Sequence, residues 1–371
     1  MIYWRQLKLP PIVLYIAISN CGINMNTSLY KTLYVKSVTE EMAGFKTITF
    51  KEGHNIQYKA GQYITLVRFS HDEEIRRSYS ITSSPDLNEP LSIGVKRIEN
   101  GYFSRLLVDH AAAGDEVITI GAGGLFVLPD NIDDFKQVFF FAAGSGITPV
   151  YALIKTLLFV HQHTNVVLIY SNASEEKTVF LNELKLLEDK FKDRFVIKFL
   201  FSNIMQLAKA RLHRNLIINF LQELSVADFG QTLFYICGPQ SYMRLCTYTL
   251  QEHDVPKNNI KREDFVINAV KRDVSPPDKS SHTIFLKMGE EDVKFDVHYP
   301  DSILSAAKKA NIVLPYSCET GRCGSCVAKC LKGDVWHSYN EVLTENEIQQ
   351  GLVLTCVGHA INGDVELEIN V

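Results

Sequence analysis

Four cysteines in this chain are spaced to hold iron. Cys318-Glu319-Thr320-Gly321-Arg322-Cys323-Gly324-Ser325-Cys326, with Cys356 well downstream, spells C-x4-C-x2-C…C, the plant-type [2Fe–2S] spacing. Four thiolates are needed for two bridged irons, and a tight loop must bring three of them around one point. Gly321 and Gly324 let the backbone fold close to a cluster and offer amides to its sulfurs. A zinc site or buried structural thiols are the competing readings. Zinc sites commonly pair C-x2-C with a second pair of ligands, and no second pair occurs here. Of the other cysteines, Cys330, beside Val327 and Ala328, reads as a core thiol. Neither Cys21 nor Cys246 has a chemistry assigned.

Two further groups could handle a flavin and a dinucleotide. In Arg77-Ser78-Tyr79-Ser80 the guanidinium suits a pyrophosphate, the phenol ring an isoalloxazine and the Ser80 hydroxyl a ring nitrogen. An arginine-flanked edge strand is the plain alternative. Gly144-Ser145-Gly146-Ile147-Thr148-Pro149 follows the apolar run Val138–Ala142, as a strand-to-helix turn would. It ends in proline where the dinucleotide fingerprint has glycine, and Pro149 suits a first helical turn, where no amide proton is required. Cys237-Gly238-Pro239 follows a second apolar strand, where Cys237 also reads as a small buried residue at a strand end.

These groups need elements to place them. From Leu29 to about Ile132, short runs rich in β-branched and aromatic residues predict strands at Tyr30–Val38, Phe45–Lys51, Tyr63–Phe69, Ser78–Thr82 and Leu91–Arg97. One helix is expected near Tyr102–His110, and the whole as an antiparallel barrel. From Gln137, strands at Val138–Ala142, Val166–Tyr170, Val196–Phe201 and Leu233–Cys237 alternate with helical stretches, the first of them Val150–His161. That rhythm implies a parallel sheet covered on both faces. Residues 269–281, polar and carrying two prolines, read as a linker. Beyond them, strands at Thr283–Met288 and Val293–His298 and a helix at Ile303–Ala310 lead to the cysteine loop. The expected organisation is an extension (1–26), a flavin barrel (27–133), an α/β nucleotide domain (134–268), the linker, and an α+β cluster domain (282–371).

On these residues the chain resembles the ferredoxin–NADP reductase superfamily, whose R-x-Y-[ST] motif is matched by Arg77, Ser78, Tyr79 and Ser80. The resemblance implies FAD rather than FMN, with Arg77 on the pyrophosphate, Tyr79 stacked on the flavin and Ser80 at its N5. Val95, Lys96 and Arg97, then Gly101 and Ser104, fall where the family surrounds the ribityl chain and pyrophosphate, and a helix opening there would offer free amides. By the same resemblance Gly144, Ser145, Gly146, Thr148 and Pro149, with Cys237, Gly238 and Pro239, flank the nicotinamide. Tyr79, Ser80, Thr148 and Cys237 then stand at the reacting centre, and Glu263-Asp264-Phe265 resembles the closing E-x-F near the flavin. The last 90 residues look like a plant-type ferredoxin of β-grasp fold. The order flavin, nicotinamide, ferredoxin resembles reductase components of multicomponent oxygenases, most closely the reductase subunits of phenylacetyl-CoA epoxidase complexes of phenylacetate catabolism. Arg76-Arg77-Ser78-Tyr79-Ser80-Ile81, Gly124-Leu125-Phe126 and Ala143–Pro149 carry that likeness. It implies an NAD(P)H-dependent supplier of electrons to a separate iron oxygenase. Another hydroxylase, a haem protein or a free ferredoxin is the alternative acceptor, and a non-catalytic redox sensor the alternative of another class. Ser171-Asn172 and Ser202-Asn203 offer neither a basic partner for a 2′-phosphate nor an acidic one for a ribose; NADH is slightly favoured over NADPH.

Bulk properties set the bounds. The 371 residues, 46% hydrophobic and 22% charged, predict a soluble globular chain of two or three domains. A net charge of −4 gives no reason to expect nucleic acid. From His282 onward 7 Lys/Arg face 13 Asp/Glu, against 31 and 29 in the rest. Such an acidic end suits electrostatic docking, or is an ordinary solvated surface. Cysteines clustered in one loop point to metal binding in a reducing compartment, hence the cytoplasm. The apolar run Ile12–Ile18 falls short of the roughly 20 residues of a bilayer span. It reads as a weak signal peptide or as sequence ahead of a true start at Met25, and no stable membrane insertion is expected.

Overall fold

The computed structural model describes residues 29–70, 73–204, 210–265, 274–289 and 291–369. The N-terminal run and part of the expected linker lie outside these residues. Six strands come first: β1 (Lys31–Met42), β2 (Phe45–Phe50), β3 (Tyr63–Ser70), β4 (Glu73–Ser80), β5 (Ser92–Lys96) and β6 (Glu116–Gly123). They pair antiparallel in the order β4-β3-β6-β1-β2-β5. A bridge from Ile81 to Ile93 joins the two edges, so the sheet closes into the expected barrel. Leu33, Val35, Ile48, Ile64, Leu66 and Val95 fill it, and helix α1 (Tyr102–His110) adds Phe103, Leu107 and Val108. Strand β6 was not anticipated, because Gly121 and Gly123 dilute its β-branched signal. The charges of Glu73-Glu74-Ile75-Arg76-Arg77 likewise hid the first half of β4.

The second sheet is parallel, in the order β11-β10-β7-β8-β9. Its strands are β7 (Gln137–Ala143), β8 (Asn165–Asn172), β9 (Phe195–Phe201), β10 (Thr232–Cys237) and β11 (Ile260–Glu263). Central β7 is buried on both faces: Val138, Phe140 and Ala142 enter one core, Phe139 and Phe141 the other. Helices α2 (Ile147–Phe159) and α3 (Leu181–Lys190) cover the first face, and α4 (Arg214–Leu224) and α5 (Gln240–Glu252) the second. An uninterrupted apolar strand is stable only where both faces are dry.

The third sheet is mixed, in the order β13-β12-β16-β14-β15. It comprises β12 (His282–Met288), β13 (Glu291–Val297), β14 (Val327–His337), β15 (Leu352–Leu354) and β16 (Gly358–Ile369), with β12 and β16 parallel. Helix α6 (Ile303–Lys309) packs Ile303, Leu304 and Ala307 against it. Short α7 (Glu345–Gln349) starts from a capping box of Thr344 and Glu347. Strands β14 to β16 were not anticipated. Strands β14 and β16 carry Lys, Asp, Glu and Gly because much of β14 and alternate residues of β16 lie at least partly exposed, and β15 is only three residues long.

The three bodies meet at Gly124-Leu125-Phe126. Gly124 backs onto the Tyr63 ring of the barrel. Leu125 enters the small apolar cluster around Cys326, Leu343 and Leu354. Phe126 sits edge-on to Tyr235 of β10, ring centroids 5.1 Å apart. Barrel and nucleotide domain are further joined by Glu89 and Lys155 (2.5 Å) and by the hydroxyls of Ser84 and Thr156 (2.7 Å).

Candidate functional site

Strand β4 presents alternate residues to opposite sides. Through its register with β3, Tyr79 stands opposite Ile64, Arg77 opposite Leu66 and Ile75 opposite Arg68. Arg77 is exposed and donates to the Arg76 carbonyl at 2.7 Å. Tyr79 lies 6.1 Å from the Phe103 ring, so the expected stacking residue is braced by α1. Gly101 caps α1 with no side-chain acceptor for the helix amides, a helix end suited to phosphate. Near it, the Arg68 guanidinium lies 4.8 Å over the Tyr102 ring, with Nε and Nη1 buried and without a hydrogen-bond partner. An unpartnered buried guanidinium is costly, and an anionic ligand such as a pyrophosphate would satisfy it. Ser104 spends its hydroxyl locally, on the Ile98 amide and the Gly101 carbonyl. Val95 is core, leaving only its main chain to face a cofactor, while Lys96 is exposed. Ser78 points the other way from Arg77 and Tyr79, to Ser317 Oγ at 2.7 Å.

The turn after β7 lies beside the turn after β10. Gly146 is pressed on the Cys237 main chain; a Cβ there would stand 2.2 Å from the Cys237 carbonyl oxygen. Thr148 donates to the Ser145 carbonyl at 2.9 Å, and its methyl would meet a Cβ at Gly94 of the barrel at 2.5 Å. Pro149 falls in the first turn of α2, as its missing amide requires. Cys237, Gly238 and Pro239 lead from β10 into α5. Cys237 is fully buried; burial, with Glu263 and Asp264 nearby, pushes its thiol well up. It is therefore a neutral packing group at physiological pH, not a thiolate. Glu263 stands opposite Cys237 on β11. Burial pushes its carboxyl up to about 8, against a Ser80 hydroxyl that donates to Oε2 at 3.5 Å. Ser80, Thr148, Cys237 and Glu263 are all buried at this junction of barrel and nucleotide sheet.

The cysteine loop brings its thiols together as two pairs. Cys323 donates to Cys318, which lowers the Cys318 thiol to about 5, and Cys356 donates to Cys326, which lowers that of Cys326. The donors Cys323 and Cys356 are raised by the same bonds. Among the described residues no three His, Cys, Asp or Glu side chains converge as ligands of one ion. Two pairs are what two bridged irons need, with two thiolates for each. Gly321 and Gly324 have φ of 74° and 73°, the left-handed region glycine enters freely. The Thr320 amide donates to Cys318 Sγ at 3.4 Å. Arg322, buried, pairs with Glu341 at 3.0 Å. Cys330 donates to the Lys332 and Gly333 carbonyls, as a thiol packed on the domain core would.

Sequence reasoning missed the contacts that seat this loop. The Tyr63 hydroxyl donates to the Cys323 carbonyl at 2.6 Å and lies 2.7 Å from Ser325 Oγ. Arg76, which in the sequence is only one residue of a family likeness, donates to the Leu314 and Tyr316 carbonyls. The double arginine in a strand was the available signal, since two neighbouring residues of a strand must serve two faces. Nothing marked Tyr63.

Comparison with known proteins gives the same three parts. Residues 32–127 match the oxidoreductase FAD-binding domain, 140–248 the oxidoreductase NAD-binding domain and 287–360 the 2Fe-2S iron-sulfur cluster binding domain. The ferredoxin reductase component of 3-ketosteroid-9-alpha-monooxygenase from Mycolicibacterium smegmatis is 30% identical over 354 residues, 90% of this chain and 96% of that one. One 1,2-phenylacetyl-CoA epoxidase subunit, from Escherichia coli, is 30% identical over 351 residues, 92% and 98% of the two chains. Phthalate dioxygenase reductase shares the fold at a TM-score of 0.56 and 22% identity, over 92% of this chain and 98% of its own. With three domains matched in this order, and relatives aligned along nearly their whole length, the chain belongs to the family of FAD- and NAD-binding oxidoreductases with a [2Fe–2S] domain that these reductase components represent.

Proposed function

We propose that this chain oxidises NADH, or less readily NADPH, and delivers the two electrons one at a time to a separate iron oxygenase, a phenylacetyl-CoA epoxidase being the first to try. The overall change is NAD(P)H plus two oxidised acceptors giving NAD(P)+, one proton and two reduced acceptors. Bound FAD supplies the step between two-electron and one-electron chemistry, and the [2Fe–2S] cluster the single-electron outlet. The observation that carries the reading is the meeting of three sets of residues: the Arg77-Tyr79-Ser80 strand, the paired turns at Gly146 and Cys237, and the cysteine loop seated on that same strand's hairpin.

Each set has a task. Arg77, Arg68 and the uncapped end of α1 bind the FAD pyrophosphate, with Tyr79 against the ring; Val95, Lys96, Gly101 and Ser104 shape the surrounding turn. Gly144, Ser145, Gly146, Thr148 and Pro149, with Cys237, Gly238 and Pro239, receive the nicotinamide nucleotide. Glu263 can hold a proton on its carboxyl at neutral pH, beside Ser80. Cys318, Cys323, Cys326 and Cys356 hold the cluster. Free thiols held for iron suit the reducing cytoplasm, and no helix among the described residues is long and apolar enough to cross a membrane.

The test is steady-state reduction of cytochrome c, a one-electron acceptor, by FAD- and iron-loaded protein with NADH. Cys326→Ser should abolish it while leaving NADH-dependent bleaching of the flavin intact. Cytochrome c reduction that survives the loss of the cluster would contradict the proposed route.

A further inference from the structure

The two faces of β4 serve two different bodies. One carries Arg77 and Tyr79, the flavin residues of the proposed function, on which this inference rests. The other carries Arg76 and Ser78, and both reach the ferredoxin domain just ahead of Cys318. Arg76 has a side chain only 2% exposed, although it is an arginine on the edge strand of a sheet. Its Nε is 2.6 Å from Glu74 Oε1, and its Nη1 donates to the carbonyls of Leu314 (3.3 Å) and Tyr316 (3.2 Å). Its guanidinium lies 3.7 Å from the centre of the Tyr316 ring, and the Lys308 ammonium is also 3.7 Å from that centre. Ser78 Oγ then meets Ser317 Oγ at 2.7 Å. From the neighbouring strand, Tyr63 reaches Cys323 and Ser325. Loop residues on both sides of Cys318 and Cys323 are thus held by one hairpin.

We propose that Arg76 and Tyr63 are positioning residues: they seat the cluster loop on the hairpin that carries the flavin residues and so set the rate at which electrons cross from flavin to cluster. A buried guanidinium must be paired to be tolerated. Arg76 is paired with Glu74 through Nε, its Nη2 is buried without a hydrogen-bond partner, and its Nη1 bonds to main-chain carbonyls of the segment that leads into the first cluster cysteine. Five planar donors suit that geometry, which a lysine cannot reproduce. Neither residue is aimed at the nicotinamide turn, so hydride uptake should not depend on them.

The experiment is anaerobic stopped-flow mixing of fully loaded Arg76→Met and Tyr63→Phe with NADH, following flavin bleaching and the cluster band separately. Hydrogen–deuterium exchange across residues 314–326 gives a readout independent of turnover. Flavin bleaching should keep its rate within about twofold while cluster reduction slows on the order of tenfold or more, as small misplacements of reacting partners do. Exchange in 314–326 should rise in both variants, and Arg76→Lys should recover only part of the loss. If Arg76→Met does not retain its cofactors, Tyr63→Phe, which removes a single hydroxyl, carries the test. Unchanged cluster reduction, or flavin bleaching slowed to the same degree, would overturn the inference. Wild-type protein whose cluster is never reduced would instead overturn the proposed function itself.

Discussion

At the scale of single residues, the site depends on groups whose ordinary chemistry has been shifted by burial. Glu263 is the clearest. Its carboxyl, ordinarily at 4.5, is pushed up to about 8 because the anion loses its water at the barrel–nucleotide junction. A folded-state value above the unfolded one means stabilisation fully present below pH 4.5 and lost as pH rises through 8. The unfolding free energy of loaded wild type, read from thermal unfolding, should therefore fall relative to that of Glu263→Gln across that window, with a slope of at most about 1.4 kcal/mol per pH unit; parallel curves would contradict this. Gly146 makes a different demand. A methyl placed 2.2 Å from a carbonyl oxygen of β10 must push two turns apart, so Gly146→Ala should cost about 1–3 kcal/mol and weaken NADH binding, read by thermal unfolding and by KM. The cysteines divide in the same spirit. Cys330→Ser should keep a full complement of iron, whereas Cys356→Ser should lose it, as iron and sulfide analysis would show.

At the scale of elements, what was legible in the sequence followed from patterning. The cysteine loop, the glycine-rich turn and the apolar strands β7, β8 and β10 announce themselves because each satisfies a local rule: ligand spacing, turn geometry, burial on two faces. Strands β6 and β14 to β16 did not. Gly121 and Gly123 weaken the first, and alternate exposure fills β16 with charge. The start of β4 was hidden for a related reason, since buried Arg76 and its half-buried partner Glu74 form a polar pair whose purpose appears only when Leu314 and Tyr316 are brought beside them. Ser78 shows the limit of a linear motif. A strand alternates, so Ser78 and Ser80 both lie on the side opposite Arg77 and Tyr79, Ser78 turned to Ser317 and Ser80, at the end of the strand, to Glu263. Arg68 is the converse, silent in sequence and conspicuous in the fold, because only pairing with β4 sets it on the Tyr79 face. Arg68→Ala should weaken FAD binding by roughly 1–3 kcal/mol, the cost of a lost charged hydrogen bond, measured by fluorescence titration of the flavin-free protein. Its affinity for FMN, which lacks the adenylate, should drop less.

At the scale of the whole molecule, three bodies with separate cores are joined where successive residues of Gly124-Leu125-Phe126 enter each of them. This arrangement explains why the order of domains along the chain need not match a linear path of electrons: the first and third are in direct contact through Tyr63, Arg76 and Ser78. It also separates what the family shares from what it varies. Relatives equally similar to this chain are named for a ketosteroid monooxygenase and for an epoxidase, so the internal route is the common property and the acceptor the variable one. The measurement that bears most directly on that route is an anaerobic NADH titration of FAD- and iron-loaded protein, followed by visible absorption and EPR. Loss of flavin absorbance accompanied by a rhombic signal of the reduced [2Fe–2S] cluster is the predicted result; flavin bleaching with no cluster signal in iron-replete protein would contradict it.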